Sequence, residues 1–138
     1  MKSRSPLLFR SEKGMSLVEI MVVIAIIGVH MTVLAVNVVS KLEEANADAT
    51  RIQMTNIKNE LIMYAAKHQG KYPSTGDGLA ALKKQFPNGE VPKDAWGGEF
   101  AYFSPGTHGD HDFEIVSYGK DGKEGGDDAD ADITSWTE

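Results

Sequence analysis

An uninterrupted apolar run dominates the first third of the chain. From Met15 to Val39, 25 residues include one carboxylate, Glu19, and one histidine, His30, with no lysine or arginine. As a helix this run would be about 37 Å long, at roughly 1.5 Å per residue, which is enough to cross the hydrocarbon core of a bilayer. The run therefore predicts a membrane-spanning helix.

Charge is distributed unevenly on the two sides of this run. Residues 1–14 carry a net charge of +3 and the remainder −9, within a total of −6. Basic residues before an apolar helix favour the cytoplasmic side, so we expect the rest of the chain to lie across the membrane. The acidic body argues against nucleic acid as a partner, because nucleic-acid binding needs a basic surface. The absence of cysteine excludes a disulfide framework and a cysteine nucleophile.

Two simpler readings of the run fit less well. The end of the run, residues 36–40, lacks the small-residue cleavage pattern of a secretory signal peptide. A plain signal anchor explains the run itself but neither Gly14 before it nor Glu19 within it. A charged side chain inside a bilayer costs about 2.5–3.5 kcal/mol on insertion scales, so Glu19 calls for a functional explanation.

The helical pattern continues beyond the apolar run. No proline or glycine interrupts residues 29–69, and we predict one helix from about Ser16 to His68, with Gly70 as its stop. Its second half is amphipathic, since apolar and small residues recur at three- and four-residue steps. The residues that recur are Leu42, Ala45, Ala49, Ile52, Asn56, Leu61, Tyr64 and Ala65. The stripe predicted to form the core beneath the strands is Ile52, Ile57, Leu61 and Tyr64.

The remaining chain predicts a small body of strands packed on this helix. A short helix is expected over Leu79–Phe86, ended by Pro87. Two strands are expected over Glu99–Ser104 and Asp112–Ser117, because both segments are rich in aromatic and β-branched residues. The fold class that follows is α+β.

The start of the apolar run carries a specific motif, "KGMSLVEIMVVIAIIG", in which Glu19 is the fifth residue after Gly14. It resembles the leader junction of type IV pilins and pseudopilins. The resemblance implies that a leader, residues 1–14, is removed after Gly14 and that the new N-terminal amine of Met15 is methylated. It also implies an assembly role for Glu19 in a transmembrane helix over residues 15–39, followed by a periplasmic domain over residues 40–138.

Three further stretches resemble the major pseudopilins of type II secretion systems: "YPSTGDGLAAL", "DAWGGEFAYFSPGTHGDHDFEIVSYGKDGKEGG" and "DADITSW". That family implies a type IV pilin-like fold, in which a long N-terminal helix packs against a small antiparallel sheet with a C-terminal calcium loop. The chain departs from the family pattern at three positions. Met15 replaces a usual phenylalanine, His30 lies in the apolar run, and Val36 replaces a usual helix-kinking proline.

The resemblance also implies a function, a place and a set of partners. The chain would be the major structural subunit of a filament that polymerises from the bacterial inner membrane and drives folded exoproteins through an outer-membrane channel. Its partners would be further copies of itself, minor pseudopilins, the prepilin peptidase, an inner-membrane assembly platform with its ATPase, and the outer-membrane secretin. The alternative is a type IV or competence pilin for adhesion, motility or DNA uptake. Its acidic body disfavours DNA uptake.

An acidic loop near the C-terminus is a candidate metal site. Six carboxylates fall within twelve residues, and the spacing is not that of an EF-hand. A solvated acidic tail is the alternative, but apolar residues flank the loop on both sides, and oxygen ligands on a glycine-rich loop suit calcium. The resemblance implies one calcium ion held by the side chains of Asp121, Asp128, Asp130 and Asp132 and the carbonyls of Tyr118 and Lys123; the other two acidic residues are Glu124 and Asp127.

Catalytic and zinc-binding alternatives find little support in the sequence. His108 and His111 could suggest a zinc pair, but no third ligand has suitable spacing, and a turn with incidental histidines explains them better. No nucleophile and base occur at a recognised spacing. We therefore expect a structural subunit and no enzyme.

Overall fold

The computed structural model describes residues 14–137, and the chain divides into two compact units at Val38 and Val39. The predicted leader, apart from Gly14, lies outside the described residues. The helices are α1 (Leu17–Lys67) and two 3-10 helices (Gly78–Gln85 and Asp128–Asp130); the strands are β1 (Ala101–Phe103), β2 (Glu114–Ser117) and β3 (Ile133–Thr134).

Helix α1 is 51 residues long and agrees closely with the predicted bounds, Ser16 to His68. It passes unbroken through Val36, because valine keeps the backbone N–H that proline would remove. It ends where the N–H of Gly70 donates to the carbonyl of Ala65 at 2.8 Å, which satisfies a carbonyl left free in the last turn.

The apolar half of α1 has large side chains that are exposed throughout the first unit. Within the part of the chain that the structure describes, α1 is the one helix long and apolar enough to cross a membrane. Its polar side chains His30, Thr32 and Asn37 each form a hydrogen bond with the carbonyl one turn earlier, at 2.8–3.0 Å. Such bonds reduce the cost of placing polar groups in an apolar environment.

The second unit is built on an antiparallel sheet in the order β1-β2-β3. Tyr102 of β1 pairs with Ile115 of β2, and Val116 of β2 pairs with Thr134 of β3. One buried cluster joins α1, the first 3-10 helix and the sheet; it consists of Met54, Ile57, Leu61, Leu79, Leu82, Phe100, Tyr102, Ile115 and Ile133.

The structure corrects part of the predicted helix face. Leu42 is 58% exposed and Ile52 is 62% exposed. Ala45, Ala49 and Asn56 are exposed as well, so none of these five belongs to the core. The buried residues of α1 are Thr50, Met54, Ile57, Leu61 and Ala65, so the prediction is confirmed for Ile57, Leu61 and Ala65 and missed Thr50 and Met54. Ile52 lies two residues from Thr50, and a two-residue step turns about 200° around a helix, onto the opposite face.

The strands are shorter than predicted, and one was not predicted at all. β1 occupies the centre of the first expected segment, and β2 occupies the last four residues of the second. β3 has only two residues, which is too short for a recognisable alternating pattern.

Candidate functional site: the helix N-terminus and the acidic loop

The N-terminal end of α1 is closed by a reciprocal pair of hydrogen bonds. The backbone N–H of Ser16 donates to Oε2 of Glu19 at 2.7 Å, and the backbone N–H of Glu19 donates to Oγ of Ser16 at 3.2 Å. This is a capping box, which satisfies two backbone donors that a helix start leaves free. Glu19 therefore has a local role in addition to any role in assembly, and the capping box does not use its second oxygen, Oε1.

The predicted cleavage point precedes this capped turn. Gly14 and Met15 lie outside the helix, and Met15 is 64% exposed. A Cβ atom on Gly14 would meet nothing within 4 Å. The fold of the described residues thus leaves this peptide bond accessible, and any demand for glycine there must come from a partner.

The acidic loop, residues 118–132, is folded back on itself by backbone hydrogen bonds. The N–H of Lys120 donates to the carbonyl of Ala129 at 2.9 Å, which joins the two arms of the loop. Within the second 3-10 helix, the N–H of Asp130 donates to the carbonyl of Asp127 at 3.0 Å. The loop is therefore an ordered element of the structure and not an extended tail.

Two glycines permit this close folding. Gly119 and Gly126 have positive φ angles, +63° and +92°. A Cβ atom would lie 2.7 Å from the Asp130 carbonyl oxygen at Gly119 and 2.5 Å from the same oxygen at Gly126. Any larger residue at either position would push this carbonyl away, so both positions require glycine.

Two of the predicted calcium ligands are fixed by hydrogen bonds from the backbone of the loop. Asp121 accepts a hydrogen bond from the N–H of Lys123 at 3.0 Å, and Asp132 Oδ2 accepts one from the N–H of Gly125 at 2.9 Å. Asp130 and Asp132 are half-buried, whereas Asp121, Lys123 and Asp128 are exposed. Among residues 14–137, no three His, Cys, Asp or Glu side chains converge on a point that could hold a metal ion.

One carboxylate oxygen in the loop is buried without a partner. Oδ1 of Asp132 is shielded from solvent and accepts no hydrogen bond within the described chain. A buried carboxylate oxygen of this kind is costly unless it is paired, and it calls for an explanation. A hard cation is the partner that such an oxygen suits, so the loop fits calcium on this observation and on its set of oxygen donors.

A polar contact ties the loop to α1. Glu43 accepts a hydrogen bond from Nε1 of Trp96 at 2.9 Å and forms a salt bridge with Nζ of Lys120 at 2.6 Å. The hydrogen bonds from Lys120 and Trp96 hold the pKa of Glu43 below its ordinary value. Because Lys120 also bonds to Ala129 through its backbone, this contact fixes the first arm of the acidic loop against the helix.

The chain that follows β3 is held through a buried glutamate. Glu114 is fully buried and accepts hydrogen bonds from the Thr107 hydroxyl at 2.8 Å and from the backbone N–H of His108. The His108 ring lies 3.2 Å from the same carboxylate and stacks on Trp136, with ring centroids 4.3 Å apart. Burial alone would raise the pKa of Glu114, but these hydrogen bonds outweigh burial and lower it to about 2.

Acid should destabilise the body through this residue. The folded-state pKa of Glu114, about 2, lies below the ordinary value of 4.5, so the folded protein binds fewer protons there. Its contribution to the free energy of unfolding is complete above pH 4.5 and is lost as the pH falls towards 2, by about 3 kcal/mol in all. Denaturant unfolding at several pH values should show that the free energy of unfolding falls in acid, and that Glu114→Gln lacks this part of the fall.

Glu99→Gln is the matched control, because Glu99 precedes β1 but is exposed. It should keep the acid dependence of the unaltered protein. Equal pH profiles for the unaltered protein and Glu114→Gln would contradict this assignment.

Sequence reasoning missed two of these features. The capping box had a signal, since Ser16 and Glu19 form an S-x-x-E pattern directly before an apolar run. His108 was read as incidental, whereas it joins Glu114 to Trp136. Sequence offers no signal for the stacking of His108 on Trp136, because Trp136 follows β3 and is brought near His108 by the pairing of β3 with β2.

Comparison with known proteins agrees with this architecture. A family model described as "Type II secretion system (T2SS), protein G" matches residues 37–136, and "Prokaryotic N-terminal methylation motif" matches residues 9–35. The type II secretion system core protein G of Pseudomonas aeruginosa is 37% identical over 141 residues, covering 92% of this chain and 96% of that protein. The corresponding protein of Vibrio cholerae is 33% identical over 139 residues, covering 92% and 93%.

A solved structure shows the same fold. The crystal structure of the major pseudopilin from the type 2 secretion system of enterohaemorrhagic Escherichia coli superposes with a TM-score of 0.59 at 27% sequence identity. The alignment covers 74% of this chain and 96% of that one. Sequence and structure agree, and the chain belongs to the type II secretion system protein G family, the major pseudopilins.

Proposed function

We propose that this chain is the major structural subunit of a type II secretion pseudopilus. Copies polymerise from the inner membrane into the periplasm, and the growing filament drives folded exoproteins through the outer-membrane secretin. The observation that carries this proposal is the exposed apolar half of α1, which begins at a capped turn containing a carboxylate. Such a surface is stable only in a bilayer or among other apolar helices.

The remaining partners act at successive steps of assembly. The prepilin peptidase removes residues 1–14 and methylates Met15. The inner-membrane platform and its ATPase add subunits, and minor pseudopilins share the filament. The role is structural, as in the family to which the chain belongs.

In this proposal Glu19 sets the register between neighbouring subunits. Removal of the leader leaves a positively charged amine on Met15. Oε1 of Glu19 accepts a hydrogen bond from this amine of an adjacent copy, while Oε2 remains in the capping box. Two opposite charges that meet in an apolar environment offset much of the cost of burying each. Only one stagger between subunits brings the amine and the carboxylate together.

We further propose that the acidic loop holds one calcium ion. The ligands are side-chain oxygens of Asp121, Asp128, Asp130 and Asp132 and the carbonyl oxygens of Tyr118 and Lys123. The buried, unpaired Oδ1 of Asp132 supports this proposal. The ion would neutralise part of a cluster of six carboxylates and so stabilise the loop between its two anchored ends.

Leader processing provides the test. Protein purified from the membranes of its natural host should have the mass of residues 15–138 with one added methyl group, measured by intact mass spectrometry. Gly14→Val should retain residues 1–14, because the peptidase must approach the peptide bond closely and a larger side chain blocks it. A native protein that begins at Met1, or after Val39, would contradict the proposed function.

A further inference from the structure

Three hydrogen-bonding side chains share one face of the apolar half of α1. Glu19, His30 and Asn37 are separated by eleven and seven residues. At 3.6 residues per turn these steps place the three within about 20° of one another around the helix. The other polar residue between Leu17 and Val38 is Thr32, which lies about 140° away from Glu19. We call the surface of Glu19, His30 and Asn37 the polar face.

Two of these side chains are held in place but keep hydrogen-bonding capacity. Nδ1 of His30 lies 2.8 Å from the carbonyl oxygen of Ile26. A carbonyl only accepts, so Nδ1 carries the proton, and in the neutral ring Nε2 is an acceptor. Nδ2 of Asn37 donates one of its two hydrogens to the carbonyl of Val33 at 2.9 Å, so a second hydrogen is available.

The polar face borders an apolar groove on the same helix. The groove is lined by Val22, Ala25, Ile26, Val29 and His30. Ala25 is the smallest residue of this lining, and small residues at such positions allow two membrane helices to approach closely. A helix packed in this groove would lie directly beside Nε2 of His30.

We propose that the polar face is the surface on which copies of this chain meet in the membrane, and that Nε2 of His30 accepts a hydrogen bond from the amide of Asn37 in a second copy. This inference rests on the proposed function. Lipid tails offer no donor to Nε2, and polar residues in membrane helices face the interior of a helix assembly. A second copy presents the complementary donor on the same face of the same helix.

One displacement between copies serves both polar contacts. A shift of seven residues, about 10.5 Å along the helix, brings Asn37 of one copy level with His30 of the other. The same shift leaves Met15 of the copy that supplies His30 only about 4.5 Å along the axis from Glu19 of the copy that supplies Asn37, a gap that a glutamate side chain can span. His30 and Asn37 would thus enforce the stagger proposed for Glu19.

Disulfide cross-linking tests this arrangement, since the chain contains no cysteine. The full-length double variant His30→Cys/Asn37→Cys, expressed with the assembly machinery of its host and then oxidised, should give a ladder of covalent multimers. Ile24→Cys/Met31→Cys is the matched control: it has the same seven-residue spacing but lies about 120–140° around the helix from Glu19. It should remain monomeric under the same oxidation.

A second series avoids reliance on the cysteine variants. His30→Leu and Asn37→Leu should each lower the yield of sedimented filaments about threefold to tenfold, as expected for one lost hydrogen bond between membrane helices. His30→Gln should restore most of the yield, because its amide supplies an acceptor. The double variant His30→Leu/Asn37→Leu should be no worse than either single variant, and Met31→Leu should match the unaltered chain.

The outcomes separate this inference from the proposed function. Filaments that form normally with His30→Leu, or that cross-link through the control pair instead of the polar face, would overturn the inference alone. An unaltered chain that forms no filaments with its host's machinery would overturn both.

Discussion

Replacing Glu19 by alanine should abolish filament assembly without impairing membrane insertion. The variant removes a charge whose placement in the bilayer costs about 2.5–3.5 kcal/mol, so the chain should insert as well as before or better. The amine of the neighbouring Met15 nevertheless loses its partner, so the correct stagger would bury an unpaired positive charge. We expect at least a tenfold fall in sedimented filaments. Exoprotein should accumulate in the periplasm, as measured by fractionation.

Two controls separate this role from the local role of Glu19 at the helix start. Ser16→Ala removes the other half of the capping box but keeps the carboxylate, and losing a cap costs about 1 kcal/mol. Glu44→Ala removes an exposed glutamate on the same helix, whose partner is Lys41. Both should assemble and secrete normally. Equal damage from Ser16→Ala and Glu19→Ala would mean that Glu19 acts only as a cap, and normal secretion with Glu19→Ala would exclude the pairing.

The long helix could be predicted from sequence because its signals are local. The absence of proline and glycine, the apolar run and the stop at Gly70 each act within a turn or two, so α1 begins and ends close to the expected residues. The buried face was harder to assign. Ile52 fits the apolar spacing as well as Ile57 does, yet Ile52 is exposed. Which face is buried depends on where the sheet and the first 3-10 helix pack, and the helix sequence does not contain that information.

The candidate site likewise has some features that the sequence predicts and others that arise only on folding. The positions of the carboxylates, and the leader junction around Gly14, are visible as patterns along the chain. The burial of Asp132, by contrast, depends on its place directly before β3, and β3 forms by pairing with β2 across a long loop. The contacts of Glu43 with Lys120 and of Glu114 with His108 are likewise products of folding. Sequence therefore identifies the possible ligands but not the anchors that hold them.

Calcium should raise the melting temperature of the body by about 10 °C. A ligand that binds only the folded state adds about 2.7 kcal/mol to the free energy of unfolding at a hundredfold excess over its Kd. For a domain of this size, that corresponds to a shift on the order of 10 °C. Residues 40–138 contain every residue of the buried core, so this fragment is suitable for thermal melts in millimolar calcium and in excess chelator. Magnesium should substitute poorly, since it demands a tighter octahedron and loses water reluctantly.

Variants in the loop should show whether the shift comes from the proposed ligands. Asp121→Ala should abolish most of it, and Asp130→Ala should weaken it. Asp132→Asn is the sharpest variant, because it can keep an acceptor for the N–H of Gly125 while it removes the charge from the buried, unpaired oxygen. In chelator its melting temperature should therefore be no lower than that of the unaltered fragment. In calcium its melting temperature should rise far less.

Asp127→Ala is the matched control for these variants. Asp127 is an exposed carboxylate in the same loop that lies outside the proposed ligand set, and only its backbone carbonyl bonds to Asp130. It should retain the full calcium shift, because the loss of one exposed charge changes the local repulsion only slightly. If the unaltered fragment melts identically in calcium and in chelator, the loop has no calcium role. A shift that all four variants retain equally would place the ion elsewhere in the chain.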